Sequence, residues 1–431
     1  MDGSKTNTKT LQETLCGVIL NFRPICFSLL VAATAFTTVG CATYQDYVRQ
    51  ARNHLEDGDP ALAATELKPL ANKPGKDQLV YVLDYATALQ AEGRYKLSNK
   101  YFDLADQLSD WKDYINLSRE AGSLLFAQEL VQYKGEDYEK LLINLMEALN
   151  YLMLGDHQDA RVEVRAMSNK LAYFKEKEDK SYEQNTMALY LSGLMWEDDH
   201  DFDSAYIEYA HAYKHDPNIP SLHEALVRTA KLAGRTQAYK KWSKKFHIKW
   251  NPKWTDPHYG ELVLIYEQGW APRKYPMPNA PEYPELFPVQ SATQSARLIV
   301  AGGPSVKTQT VFSVQKVAMK TLNGEYKTLA EKQLAGFAAK QVVASQVSQK
   351  NQALGTILDI AMQASDRADL RQWSTLPQTF QVARVFLKVG SYKVSVQGLT
   401  ADGTPSIDSR APQTFKIEPR RKTFFIWRSF H

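Results

Sequence analysis

The chain has 431 residues, a formal net charge of +4 and three cysteines, Cys16, Cys26 and Cys41, with none after residue 41. A disulfide framework is therefore excluded for the body of the protein. The charge is uneven, because residues 41–237 carry 22 basic and 33 acidic side chains whereas residues 238–431 carry 27 and 13. An acidic front and a basic back, in a chain long enough for two cores, predict two modules with different partners.

Residues 1–40 have the pattern of a signal peptide. An uncharged apolar run, Ile25–Phe36, follows Arg23 and is too short to span a bilayer. Small residues precede Cys41, and the arrangement resembles the lipoprotein signal of Gram-negative bacteria, whose mature chain begins at an acylated cysteine. The resemblance implies lipidation of Cys41, palmitate included, and Ala42 after it implies the periplasmic face of the outer membrane. A plain secretory signal and an uncleaved anchor are the alternatives.

An internal repeat follows the leader, and its clearest copy spans residues 188–217. This copy resembles the tetratricopeptide repeat (TPR), a unit of about 34 residues that folds as helix, turn and helix. Gly193 and Ala205 fall where the two helices must approach closely, and Tyr209 and Ala212 continue the buried face of the second helix. The pattern predicts a helical hairpin that ends before a proline.

Weaker copies share this register and place a glycine in each turn, at Gly58, Gly93, Gly155 and Gly234. Four or five units exceed the minimum of about three that a stack needs for a continuous core. We therefore expect a TPR-like helical solenoid over residues 41–250, with a generic helical bundle as the alternative. Such stacks form concave grooves that hold peptides or partner domains. The partner-binding residues predicted for this groove are Trp196, Tyr209 and Tyr213.

A basic and aromatic segment closes the repeats, from residue 240 to residue 254. Lysines near an anionic surface are each worth about 1 kcal/mol, and tryptophan favours the membrane interface, so lipid headgroups or anionic envelope polymer are candidate ligands. The alternative is that the tryptophans cover the end of the stack while the lysines face water. This predicted anionic-surface patch consists of Lys240, Lys241, Trp242, Lys244, Lys245, Lys249, Trp250, Lys253 and Trp254.

Residues 251–431 differ in composition and predict a smaller β-rich domain with packed helices, which makes the fold class α+β. Strand-like runs occur at 260–269, 296–303 and 310–319, and a proline-rich passage at 270–289 predicts an extended connection or wall strand. A long helix is predicted over 327–364. Four more strands are predicted after residue 378, with joints at Val389-Gly390 and at Glu418-Pro419.

Three stretches, Gly260–Lys274, Asp369–Val394 and Arg420–Ser429, resemble an uncharacterised family of Gram-negative lipoproteins with TPR-like repeats. Some members of that family occur beside lipoproteins related to penicillin-binding-protein activators or curli-secretion pores. The resemblance implies a role in envelope assembly and names no chemistry. Locally, Trp373 with Leu376-Pro377 is also typical of a packed corner, and Asp369 with Arg371 of an ion pair that locks the fold.

No catalytic motif is present in the sequence. Cys41 would be acylated, and no nucleophile elbow, P-loop or dinucleotide fingerprint occurs. His211 and His215 are four residues apart on a helix, but they lie off the buried stripe of the repeat and lack the rest of a zinc motif. We therefore expect no enzyme activity, cofactor, metal or nucleic-acid partner.

Three functions remain from the sequence. The first is a lipid-anchored scaffold that binds an envelope protein. The second is a regulator of peptidoglycan synthesis that binds a peptidoglycan synthase. The third is an unrecognised hydrolase of envelope polymer.

Overall fold

A computed structural model describes residues 44–109, 132–177, 185–324, 327 and 368–431. The leader, Cys41 and nearly all of the predicted helix over 327–364 lie outside the described residues. Within these ranges, no helix is both long enough and apolar enough to cross a membrane. The chain divides into two compact units, residues 1–47 and residues 48–431, and everything below concerns the second unit apart from the first turn of α1.

The described part of the repeat region contains ten long helices. They are α1 (Tyr44–Glu56), α2 (Pro60–Ala71), α3 (Gln78–Glu92), α4 (Tyr95–Ser109), α5 (Asp137–Met153), α6 (His157–Lys177), α7 (Thr186–Asp198), α8 (Phe202–His215), α9 (Pro220–Leu232) and α10 (Thr236–Phe246). From α3 onward they pack as successive hairpins, α3 on α4, α5 on α6, α7 on α8 and α9 on α10. The TPR-like architecture that the sequence predicts is confirmed.

Gly193 shows why the register of the repeat could be read from the sequence. A Cβ atom at Gly193 would lie 2.5 Å from the Tyr209 ring of the paired helix, so no larger residue fits at this crossing. Ala205 and Ala212 on α8 are fully buried, and so is Tyr209. The helices pair closely because Gly193 leaves room for the Tyr209 ring and because the alanines on either side of Tyr209 are small.

The C-terminal part is built from strands and short helices. They are a single 3-10 turn (Pro252–Trp254), β1 (Tyr259–Gln268), β2 (Arg273–Met277), β3 (Ala280–Phe287), β4 (Ser295–Val300), β5 (Ser305–Lys307), β6 (Gln309–Ser313), α11 (Val314–Ala318), a π-helical turn (Met319–Asn323), β7 (Thr379–Lys388), β8 (Gly390–Leu399), β9 (Pro405–Ile417) and β10 (Lys422–Ser429). The proline-rich passage forms the antiparallel ribbon β2–β3. The run over 310–319 is not one strand, because the Ser313 side chain accepts from the Lys316 amide and starts α11.

Two four-stranded sheets face each other. The inner sheet has the order β10-β1-β7-β6, with β1 and β10 parallel, and the outer sheet has the order β5-β4-β8-β9. Apolar side chains of both sheets fill the space between them, among them Leu264 of β1, Leu298 of β4 and Val396 of β8. The architecture is therefore α+β, as the sequence predicts.

The inner sheet is covered on both faces. Leu262, Leu264 and Tyr266 of β1 point toward the outer sheet, while the alternate residues Glu261, Val263 and Ile265 face the helices and are also buried. Helices α5, α7 and α9 meet this face. Helix α3, which is buried along twelve consecutive residues, Leu79–Gln90, contacts the segment that precedes β7. The repeats, the inner sheet and the outer sheet thus form three layers.

Candidate functional site

The groove of the repeats is filled by the protein's own C-terminal part. Trp373, in the segment that leads into β7, is 1% exposed and lies against α3 and α5. Its indole Nε1 donates to Thr87 Oγ1 at 2.9 Å, and its backbone N–H donates to Glu139 Oε1 at 2.7 Å. The ring also packs on Phe102 with centroids 5.6 Å apart. The packed corner expected at Trp373 is therefore a contact between the two parts of the chain.

Asp84 of α3 holds the two residues that follow Trp373. Its carboxylate accepts from Ser374 Oγ at 2.9 Å, from the Thr375 backbone N–H at 3.0 Å and from Thr375 Oγ1 at 2.8 Å. Asp84 is fully buried, so these bonds replace water that the carboxylate would otherwise bind. The segment Asp369–Pro377, which we call the docking segment, is thus held through its backbone and its hydroxyls.

Ion pairs border the docking segment. Arg371 contacts Asp369 at 2.7 Å, as the sequence predicts, and also Asp77 of the repeats at 3.0 Å. Lys274 of β2 binds Glu136 at the start of α5. Burial raises the pKa of Glu139 to about 6, although Lys274 acts in the opposite direction.

A second cluster lies where β1, β7 and β10 meet α7 and α9; we call it the charge cluster. Arg384 Nε donates to Glu261 Oε1 at 2.7 Å, and its Nη2 donates to Glu197 Oε2 at 3.0 Å. Arg228 Nη2 donates to Glu197 Oε2 at 3.1 Å, and Lys422 binds Glu197 at 3.2 Å and also Glu261. Three cations and two carboxylates are therefore buried together.

The cations hold both carboxylates ionised. Burial alone would raise the pKa of Glu261, but Arg384, Lys422 and Arg228 lower it to about 2. Burial also opposes ionisation of Glu197, and Arg228, Lys422 and Arg384 hold its pKa well below the usual range. The charge cluster joins the repeats to the inner sheet through Glu197 and Arg228 on helices and Glu261, Arg384 and Lys422 on strands.

The docking segment and the charge cluster together form the contact between the repeats and the C-terminal part, which we call the seam. The seam corrects two expectations. The groove was expected to be open to a partner, yet its lining helices α3, α5 and α7 face the inner sheet and the docking segment. The uneven charge was expected to serve two different partners, yet part of it is matched internally, with Glu197 on the helices against Arg384 and Lys422 on the strands. The sequence alone shows charges but not which of them meet.

The three residues predicted to bind a partner lie in different surroundings. Tyr209 is fully buried, and its hydroxyl donates to Glu197 Oε2 at 3.0 Å, so it packs the repeat and offers no surface. Trp196 is half-buried beneath the Arg161 guanidinium, which lies 4.7 Å from its ring. Tyr213 is half-buried against Trp242 of α10. They do not form one binding surface.

The predicted anionic-surface patch divides into two kinds of residue. All six lysines are exposed, but Trp242 is buried and stacks on Phe246 with centroids 5.4 Å apart. Trp250 and Trp254 are half-buried and meet edge to face at 5.1 Å, and Trp254 Nε1 donates to Glu224 of α9. Trp242 thus belongs to the packing of the last hairpin. Three of the exposed lysines also lie over aromatic rings, Lys241 over Trp242 at 4.6 Å, Lys245 over Tyr213 at 5.2 Å and Lys253 over Tyr259 at 5.5 Å.

A cleft lies beside the charge cluster, between α9, the chain at 251–253 and the edge of the inner sheet. Its volume is about 350 Å³, within the range of ligand sites. Its polar lining includes Ser221, Lys253, Lys307 and Gln309.

In the described ranges, three potential metal ligands, His157, Asp198 and Asp199, have their side-chain oxygens and nitrogens within 4.8 Å of one another. Asp198 already pairs with Arg421 at 2.7 Å, and Asp199 pairs with Arg161. Burial lowers the pKa of His157, against the opposite effect of Asp198 and Asp199. Both carboxylates therefore already have an arginine as partner.

No family model and no curated protein matches the chain. Among solved structures, the chain is similar to MamA from Desulfovibrio magneticus RS-1, with 16% identity over 47% of this chain and 89% of that one and a TM-score of 0.31. It is also similar to TPR-like repeats of a kinesin light chain type from Podosopora anserina, with 11% identity over 47% and 92% and a TM-score of 0.32. A third is BtubC from P. vanneervenii, with 13% identity over 57% and 96% and a TM-score of 0.33. No function is transferred from these likenesses.

Proposed function

We propose that the protein is a non-enzymatic scaffold of the cell envelope, anchored through a lipid on Cys41 to the periplasmic face of the outer membrane. The observation that carries the proposal is the docking segment. TPR-like stacks hold peptides in their grooves, and here Asp84, Thr87 and Glu139 hold such a segment supplied by the same chain. The repeats therefore act as a protein-binding surface, and the first segment that they bind belongs to the basic C-terminal part of the same chain.

Because the groove is filled, partner proteins would meet the outer surfaces. Exposed apolar residues on the outward helices, Val162 on α6 at 52% and Ile207 on α8 at 40%, are positions where a partner can gain apolar contact. The six exposed lysines offer a second surface, suited to anionic lipid or envelope polymer. A lipid at Cys41 would keep both surfaces near one leaflet.

Two experiments test the proposal. Mass spectrometry of the N-terminal peptide from the native protein should show an acylated residue 41, and the variant Cys41→Ser should retain its leader and lack the lipid. A photo-crosslinker at position 162 or 207 of the full chain should capture envelope proteins, whereas one at the buried position 85 on α3 should not. A free thiol at residue 41, or capture that does not depend on the outward positions, would contradict it.

The identity of the captured protein decides between the finer possibilities. A peptidoglycan synthase among the crosslinked proteins would make the scaffold a regulator of peptidoglycan synthesis. Other envelope proteins without a synthase would support a general assembly role.

A further inference from the structure

One edge of the inner sheet is only partly paired. Across one side of β7, β1 pairs along the whole strand, from Thr379 to Lys388. Across the other side, β6 pairs only from Thr379 to Val382, and no described strand pairs with the rest of that edge. Residues 383–386, a length of about 13 Å at 3.3 Å per residue, therefore present an open strand edge.

The edge is open because the chain changes sheets just before β6. β5 pairs with β4 in the outer sheet, whereas β6, which begins two residues later at Gln309, pairs with β7 in the inner sheet. The space that a longer β6 would fill is the 350 Å³ cleft, and Ala383, Arg384, Val385 and Phe386 line it. The cleft is thus the place of a missing strand.

Two polar atoms in the cleft have unmet hydrogen-bonding capacity. Among the described residues, Ser221 Oγ and Gln309 Oε1 are buried and have no hydrogen-bond partner. Gln309 pairs with Val382, so it stands at the point where an added strand would begin. A hydroxyl can donate to a peptide carbonyl and an amide oxygen can accept from a peptide N–H, so both atoms match an incoming backbone.

The uncompensated charge of the cleft is positive. Its carboxylates are already bound, Glu261 by Arg384 and Glu224 by Arg228. Lys253 and Lys307 are exposed at the rim, and within the described ranges neither has an ion-pair partner. The N-terminus of α9, which has no side-chain cap, adds positive potential through Pro220 and Ser221.

We propose that this cleft binds an extended acidic peptide segment of a partner protein, which adds as a strand to residues 383–386 of β7 while its carboxylates meet Lys253 and Lys307. Strand addition supplies main-chain hydrogen bonds, and the flanking side chains supply specificity. The inference deepens the proposed scaffold function, on which it rests, by naming the site and the chemistry of one partner.

The test uses the full chain and a fluorescein-labelled hexapeptide of alternating valine and aspartate, followed by fluorescence anisotropy. The peptide should bind, and N-methylation of alternate amides, which removes the donors needed for strand pairing, should weaken binding at least about tenfold. Replacing its aspartates by lysines should do the same. Lys307→Glu should weaken binding by about tenfold, whereas Lys316→Glu, the same charge change at an exposed lysine of α11, should leave it unchanged.

Four results would overturn the proposal. Equal binding of the N-methylated peptide would exclude strand pairing, and equal weakening by Lys316→Glu would reduce the effect to net charge. Displacement of the peptide by inorganic phosphate at equal concentration would make the cleft a small-anion site. Slow hydrogen exchange at residues 383–386 in the free chain, on the side facing away from β1, would mean that another segment of the chain already covers the edge.

The scaffold function and the peptide site can fail independently of each other. If crosslinking at positions 162 and 207 still captures envelope proteins while the peptide does not bind, the scaffold stands and this site does not. If capture fails and the peptide binds, the cleft is a peptide site and the proposed cellular role falls.

Discussion

Glu261 and Glu267 lie on the same face of β1, six residues apart, and both are buried. The pKa values of their carboxyl groups are nevertheless shifted in opposite directions. The pKa of Glu261 is lowered to about 2, whereas burial raises the pKa of Glu267 to about 7 against the effect of Arg428. Glu261 has a hydrogen bond from Arg384 at 2.7 Å and an ion pair with Lys422. The cation beside Glu267, Arg428, lies 3.9 Å from its carboxylate and makes no hydrogen bond to that carboxylate.

The difference lies in what each arginine donates to. Arg384 directs its guanidinium at carboxylates, whereas Arg428 donates to the carbonyl oxygens of Glu267 and Thr375 at 3.0 and 3.1 Å. A buried charge is stabilised by hydrogen bonds from its counter-ion and not by proximity alone. One end of β1 therefore locks the two modules ionically, while the other end favours a protonated carboxyl.

The largest effect on stability should come from disrupting the charge cluster. Arg384→Met removes one of the two cations that Glu261 and Glu197 share, the other being Lys422, and the free energy of unfolding should fall by about 4 kcal/mol. Arg235→Met removes a similarly oriented arginine from the exposed Asp203 and should leave stability within error. Urea denaturation of the full chain measures both. Similar losses for the two variants would mean that the charge cluster does not stabilise the seam.

The next effect is a pH dependence of the free energy of unfolding, which has opposite signs for Glu261 and Glu267 at the two ends of β1. A raised pKa contributes stability that is complete below the unfolded value of about 4.3 and is lost as pH rises through about 7. Glu267→Gln should therefore remove up to about 4 kcal/mol of the stability loss between pH 4.3 and 7. Glu261→Gln should instead flatten the loss on the acid side, as pH falls from about 4.3 toward 2.

The pH measurement is thermal or urea unfolding at half-unit steps from pH 3 to pH 8. Parallel curves for the wild type and Glu267→Gln would contradict the raised pKa. A Glu261→Gln curve that differs from the wild type only above pH 5 would contradict the lowered one.

A smaller effect should come from the docking segment, which is held by hydrogen bonds to neutral groups as well as charges. Trp373→Phe keeps the ring in the groove and removes the donor to Thr87, so about 1 kcal/mol of stability should be lost. Trp250→Phe, a change at the half-buried aromatic pair, should cost less than about 0.5 kcal/mol. Equal costs would mean that the indole N–H does not contribute to docking.

The smallest effect on stability belongs to the exposed lysines. Exchanging Lys240, Lys244 and Lys249 for glutamine should change the free energy of unfolding by less than about 0.5 kcal/mol. Binding to phosphatidylglycerol vesicles should weaken by about 1 kcal/mol per lysine if these residues face an anionic leaflet.

Two controls accompany this experiment. The matched exchange of Lys316, Lys388 and Lys393 should not weaken vesicle binding, and phosphatidylcholine vesicles should bind neither form. Equal binding of both triple variants would remove the anionic-surface patch from the proposed function.

Much of the fold could be predicted because its determinants are local. The close crossing at Gly193, the buried Ala205 and the strand joint at Val389-Gly390 each follow from neighbouring residues, and the structure contains them. The ion pair between Asp369 and Arg371 spans two positions and is present as well. Periodicity and spacing report such short-range features directly.

The seam could not be predicted, since its partners are far apart in sequence. Trp373 meets Thr87 across 286 positions, and Arg384 meets Glu197 across 187. A filled groove and an open groove place the same residue types on the same helices, so the repeat pattern cannot distinguish them.

The parallel pairing of β1 with β10 sets the order in which the protein can fold. Glu261 and Lys422 are separated by 161 residues, so the edge pair β1–β10 of the inner sheet forms only after nearly the whole chain has been synthesised. Until then the inner sheet lacks its last strand. Contacts of such long range form slowly, so this pair is expected to close late in folding.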